Sequence, residues 1–222
     1  MQKACSNSDI DLCLISIDSS QKQTILNFVK RTLQKSGNKR LLLDAKIYTK
    51  NEFNATIQGF QNPYWCTFFR DGVRLFGEEV VVPLLPHTFT NSVWRSIEQI
   101  QESLGYIEQK IFIDIACYQL WTAMSLVFTV DCLIHNKPFR KNSRTELAQK
   151  LLEYQYSLIK EQYERVSIFR RTQVHSGLSL DDEQSIKYDN PISDYSKIDT
   201  KILQKNGLRV LAYCEKVYQQ IN

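Results

Sequence analysis

From Ile111 to Ile134 the chain is almost uninterruptedly apolar, which leaves only two ways to fold around it. The stretch approaches the length of a membrane-spanning helix. Asp114, Gln119 and Asp131 fall inside it, and each is costly at a bilayer centre, so it reads as a helix buried in protein. A helix that is apolar all round must be covered by other elements. Candidates flank it: Ile97, Ile100, Leu104 and Ile107 recur at helical spacing before it. After a loop from His135 to Ser143, a helix is expected from Thr145 to about Phe169, and a last one from about Thr200 to Gln219 beyond a polar stretch from Ser176 to Ser196. Helical periodicity with few turn residues begins at Val93, which places a domain boundary near Ser92 and divides the chain into residues 1–92 and 93–222.

The first part has a different texture. Ile10 to Ile17 is rich in β-formers, with Ile10, Leu12 and Leu14 on one side and Asp9, Asp11 and Cys13 on the other. Ser20 and Gln23 stand at capping-box spacing ahead of an apolar stripe of Ile25, Leu26, Val29 and Leu33 that stops before Gly37, so a helix follows this strand. A second strand is expected at Leu41 to Tyr48, with Asp44 away from its more apolar face. Thr49 and Glu52 repeat the capping-box spacing and open a helix through Phe53 and Ile57, which Pro63 should break. Asp71-Gly72 between apolar flanks predicts a chain reversal and a short strand, and Pro83 and Pro86 punctuate a linker that ends near Asn91. The fold class is therefore α+β: a sheet with flanking helices, then a C-terminal α-helical bundle.

At 222 residues, with 43% apolar and 23% charged residues, the chain has an ordinary globular composition and is not expected to be disordered. A net charge of +4 permits an anionic ligand without demanding one. The six cysteines form no C-x-x-C pair and have no His at metal-ligand spacing, which argues against a zinc site or a disulfide framework and for reduced thiols in the cytoplasm. The N-terminus lacks the basic and apolar regions of a signal peptide, and no membrane partner is expected.

Asp9 and Asp11, two residues apart on a strand, project from one face about 6.6 Å apart along the chain, close enough for their carboxylates to converge on magnesium. Asp44 on the second strand can complete the cluster. Taken alone, a D-x-D is more often an ordinary acidic pair at a strand end, and Ser8 is read as a turn residue. The order and spacing of three segments change the balance. SNSDIDLCLI, LLLDAKIYTKNEF and RDGVRLFGEE resemble the nucleotidyltransferases of the polymerase-β type over about Ala4 to Val82. The resemblance implies a mixed β-sheet with flanking helices. It also implies that Asp9, Asp11 and Asp44 are catalytic and bind two Mg²⁺ ions, with Asp44 assisting deprotonation of the acceptor hydroxyl. The implied substrate is ATP or another nucleoside triphosphate, whose nucleoside monophosphate, AMP from ATP, passes to a hydroxyl or phosphate on a small molecule, protein or RNA. One departure stands out: no residue ahead of Asp9 matches the Gly-Ser pair by which this family holds the nucleotide phosphates. A sequence that starts late relative to the native product is the preferred explanation. The alternative is a degenerate, non-catalytic binding or regulatory module of antitoxin type.

The helical part resembles, more weakly, the HEPN domains often paired with such transferases. Arg170 and His175 have the R-x4-H spacing of HEPN ribonucleases, which implies a minor alternative activity on RNA; a basic helix end is the simpler reading. Lys137, Arg140, Lys141 and Arg144, with Phe139 for stacking, could contact phosphates but read first as a solvated loop. His87 and His135 have no companions for a metal, and Trp94, Trp121, Tyr118 and Phe128 read as core.

Overall fold

The computed structural model describes residues 9–16, 20–21, 24–25, 27–28, 31, 42–75, 77–138, 141–175 and 198–222, with side chains described except at 9–12, 16, 42–46, 71, 141 and 168–175. Two compact units emerge, Met1–Ile57 and Gln58–Asn222. That division falls ahead of the change in sequence texture near Ser92. Ser92 itself lies within a helix. Among the described residues the only sheet is a parallel pair of strands and nearly everything else is helical, a helix-rich α+β protein.

In the first unit β1 (Asp9–Ser16) pairs in parallel with β2 (Leu42–Thr49). Parallel neighbours need a crossover between them. Residues 20, 21, 24, 25, 27, 28 and 31 are helical, in keeping with the expected helix, whose remaining positions lie outside the described residues. β2 runs directly into α1 (Lys50–Ile57) through the capping box that the spacing predicts. The Thr49 N–H donates to Glu52 Oε2 at 2.8 Å and the Glu52 N–H to Thr49 Oγ1 at 3.2 Å, so two orphan helix donors are satisfied reciprocally. Phe53 and Ile57 then bury one face of α1, with the Phe53 ring 5.9 Å from that of Tyr48.

The second unit opens with α2 (Asn62–Asp71), which carries Pro63 in its first turn, where the missing N–H costs nothing. Buried Asn62 ties the following segment to this helix: its Nδ2 donates to Pro83 O at 2.9 Å, and its Oδ1 accepts from the Leu85 N–H at 3.0 Å. The expected turn at Asp71-Gly72 is instead the end of α2, and no strand follows among the described residues. Tyr64, Trp65, Phe68 and Phe69 pack as an aromatic cluster on that helix around the fully buried Trp65, an arrangement a reversal at 71–72 would not produce. Gly72 is required by a close approach, since a Cβ there would sit 2.6 Å from the Phe68 carbonyl oxygen.

Next come α3 (His87–Gln109), α4 (Ile113–Ile134), α5 (Lys141–Leu152), a 3-10 turn at Glu153–Gln155, α6 (Tyr156–His175) and α7 (Thr200–Ile221). The helix expected over Thr145 to Phe169 is thus two helices, and the expected linker to Asn91 already contains the start of α3. Although α4 is long and apolar enough to cross a membrane, most of it is buried inside this unit. It packs against α3 on one side and α6 on another, while α7 packs chiefly on α3. Ile100 of α3, Leu120 and Met124 of α4 and Leu203 and Val210 of α7 are fully buried. Each such side chain contributes about 1.5–3 kcal/mol of transfer free energy.

Asp114, Gln119 and Asp131, which interrupt α4, each have a structural account. Asp114 lies in its first turn, where a carboxylate suits the helix dipole, and accepts from the Ile115 N–H at 2.9 Å. The Gln119 Oε1 accepts from Ser103 at 2.8 Å, and its Nε2 donates to Glu102 at 2.7 Å. Asp131 pairs with His135 and Tyr213. All three polar groups face protein partners, as burial within the helical unit requires.

Candidate functional site

The parallel register decides where the sequence-predicted carboxylates stand. Asp9 is level with Leu42, Ile10 with Leu43, and Asp11 with Asp44. Directly paired positions lie on one face of a ladder, about 4.8 Å apart, and alternate positions share that face. Positions 9, 11 and 44 therefore form a triangle on one face at the N-terminal end of both strands. A pairing one residue out of step would place position 44 on the opposite face from 9 and 11. The side chains of these three aspartates lie outside the described set, so the backbone register carries the placement.

As a donor set the triangle fits a hard divalent cation. The three carboxylates supply oxygen ligands only, a donor set suited to magnesium or calcium. Among residues with described side chains, no group of three His, Cys, Asp or Glu could hold a metal.

Arg170 and His175 both fall within the last turns of α6, with side chains outside the described set. Five residues along a regular helix separate them by about 140° around its axis and about 7.5 Å along it, so the helix alone does not bring them together. Of the basic loop, Phe139 and Arg140 lie outside the described residues, Lys141 opens α5, and Arg144 follows one turn later. Trp121 and Phe128 are buried and Tyr118 is half-buried, stacked on Tyr163 at 5.6 Å, as core aromatics. Trp94 is different: it is 47% exposed and only leans on Tyr218. His87 is exposed at the first position of α3.

Sequence spacing did not reveal a second constellation, at the C-terminal end of α4. The helix closes with a Schellman motif in which Asn136 takes a left-handed conformation, φ 51°. The Lys137 N–H donates to Cys132 O at 2.8 Å and the Asn136 N–H to Leu133 O at 3.3 Å. Asp131 Oδ1 lies 3.0 Å from His135 Nδ1, and its Oδ2 accepts from the Tyr213 hydroxyl at 3.5 Å. Burial, followed by the neighbouring Asp131 carboxylate, pushes the Tyr213 phenol above its ordinary range. The Cys132 thiol is raised for the same two reasons, against the opposing fields of Lys137 and Arg70. Only the i, i+4 spacing of Asp131 and His135 signals this group in the sequence. Arg70, which lines a cleft of about 400 Å³ with Cys132 and Lys137, comes from a helix far away in the chain.

Comparison of the chain with protein-family models, with curated proteins and with solved structures gave no match.

Proposed function

We propose that the chain is a magnesium-dependent nucleotidyltransferase of the polymerase-β type, in which β1 and β2 form part of a mixed catalytic sheet and the helical unit accommodates the acceptor. The observation that carries this reading is the pairing of Asp11 with Asp44, with Asp9 on the same face of the ladder. An incidental acidic pair on β1 would not need a third carboxylate at the matching register of the neighbouring strand.

In this reading Asp9 and Asp11 would hold two Mg²⁺ ions, and Asp44 would hold one of them and assist deprotonation of the acceptor hydroxyl. When bound, the ions neutralise charge on the attacking oxygen and on the departing pyrophosphate. A bond forms between the acceptor oxygen and the α-phosphorus of ATP or another nucleoside triphosphate, and the bond from that phosphorus to pyrophosphate breaks. The acceptor is a hydroxyl or phosphate on a small molecule, protein or RNA. The reading places this action in the cytoplasm, because the spacing of the six cysteines suggests no disulfide framework.

The test is incubation with α-labelled ATP and magnesium, reading label transfer and nucleotide binding together. Asp9→Asn and Asp11→Asn are expected to reduce both to background, and Asp44→Asn to reduce transfer while leaving binding. Absence of any aspartate-dependent transfer or binding in the wild-type protein overturns the proposal.

A further inference from the structure

We propose that Lys46 holds the β- and γ-phosphates of the nucleoside triphosphate, because it stands two residues beyond Asp44 on the aspartate face of the ladder, level with Cys13. This deepens the transferase reading and rests on it. Alternate positions of a strand share one face, so positions 9, 11, 13 and 15 of β1 and 42, 44, 46 and 48 of β2 line a single surface. Lys46 is the only basic residue among them. The level beyond the Asp11–Asp44 pair lies about 6.6 Å further along the strands, comparable with the span of a triphosphate chain. With the α-phosphorus over the aspartates, the outer phosphates reach position 46.

The two faces of the ladder differ in the way this requires. Ile10, Leu12 and Leu14 of β1 and Leu43, Ala45 and Ile47 of β2 make up the other face, and Ile47 is buried. On the aspartate face Cys13, Ile15 and Tyr48 are only half-buried and keep contact with solvent. Tyr48 bounds the far end of this surface, its ring 5.9 Å from that of Phe53 of α1. Position 46 is thus the last polar level before an aromatic boundary. Charge supplies the second argument. Two Mg²⁺ ions little more than balance three carboxylates, which leaves most of the negative charge of a triphosphate to be met by the protein. An ammonium on a flexible four-carbon stem suits that task, as a point charge able to follow the outer phosphates as pyrophosphate departs.

The experiment is calorimetric titration of the whole chain, with magnesium, using an ATP analogue that carries a methylene bridge between its α- and β-phosphorus and so binds without releasing pyrophosphate. Lys46→Met keeps the length of the side chain and removes its charge. It is expected to weaken the analogue about tenfold while changing AMP by less than about twofold. Lys46→Arg is expected to restore binding to within about threefold, and Lys50→Gln, an exposed cation at the start of α1, to leave it unchanged. A second measurement uses the wild-type chain and stays decisive should Lys46→Met fail to fold. The Cys13 thiol, level with Lys46, is expected to be alkylated more slowly with the magnesium-bound analogue present than with AMP, read by mass spectrometry of its peptide. Unchanged affinity in Lys46→Met, an equal loss for AMP, failure of Lys46→Arg to restore binding, an equal loss in Lys50→Gln, or equal alkylation of Cys13 with both nucleotides overturns the inference. With aspartate-dependent binding intact, each of these results spares the transferase reading. Binding weakened by Lys46→Met but untouched by Asp9→Asn and Asp11→Asn would do the reverse, and absence of analogue binding in the wild type overturns both.

Discussion

Replacing Gly207 by Ala sets two effects of similar size against each other, and the structure says which groups are involved. Gly207 lies in the interior of α7, where glycine costs about 1 kcal/mol relative to alanine, so the substitution starts with that gain. The new Cβ would stand 2.7 Å from Leu104 Cδ2, with Leu104 Cγ at 3.6 Å and Leu120 Cδ2 at 3.7 Å. The close atom is the tip of a half-buried side chain on α3, so relief comes from turning Leu104, at about 0.5–1.5 kcal/mol, and not from separating the helices. The net change is expected to lie within about 0.5 kcal/mol of zero, moving the melting temperature by no more than about 2 °C in a chain of this length. Leu104→Ala removes the obstructing methyl groups, so in that background Gly207→Ala should deliver its full gain. A urea-denaturation cycle of the two single variants and the double variant is expected to give a coupling of about 0.5–1.5 kcal/mol. Additivity of the two changes, or a loss above about 2 kcal/mol for Gly207→Ala alone, would refute the reasoning by showing that backbone, not a leucine tip, sets the α3–α7 spacing.

Lys110 ends α3 in a left-handed conformation, φ 56°, so Lys110→Gly should relieve about 1–2 kcal/mol of strain against about 0.4–1 kcal/mol of added unfolded-chain entropy; the melting temperature is expected to rise, and a fall would contradict this account. The Cys117 and Cys214 thiols are pushed up chiefly by burial and are out of contact with solvent, so at pH 8 a disulfide reagent should label them only as fast as the protein unfolds; labelling at the rate of an exposed thiol would contradict their placement. A hydrogen bond from Arg209 holds the Glu153 carboxyl below its ordinary range. Because the folded-state value is depressed, this contribution to stability is present above the unfolded value near pH 4.3 and is lost as pH falls through the folded value. Thermal melts of Glu153→Gln should therefore show a shallower decline between about pH 5 and pH 3 than the wild type, and parallel curves would remove Arg209 from the explanation.

Signals carried by neighbouring residues could be read from the sequence. The Thr49/Glu52 capping box, both strands and the buried helix around Leu120 follow from spacing alone, because their causes lie within one turn or one pleat. Asp71-Gly72 misled because the same dipeptide chemistry serves a hairpin turn and a helix end; the aromatic packing around Trp65 decided between them. Pro86 misled likewise, standing immediately before α3 where a linker was expected. The break between α5 and α6 carries no Gly or Pro signal. It accompanies contacts from distant segments: Asn206 Nδ2 donates to Leu152 O at 2.9 Å, Arg209 pairs with Glu153, and Gln155 Nε2 reaches Asp199 O at 3.4 Å. The aspartate triangle was legible as alternation, but the level on which Asp44 meets Asp11 became visible only with the ladder. The Arg70–Lys137 cleft was illegible, since α2 and the end of α4 become neighbours only through the fold.

The parallel pairing of β1 with β2 also sets an order of events during folding. A hairpin can zip from its turn, but here the segment between Ser16 and Leu42 must first close as a loop, and β2 must then settle at one of several offsets against β1. An offset of one residue would leave the backbone hydrogen-bonded and the proposed metal positions split between two faces. Assembly of that site is thus a step separate from strand association, slower than the local helix formation available to the second unit, and open to kinetic error even where the final state is stable.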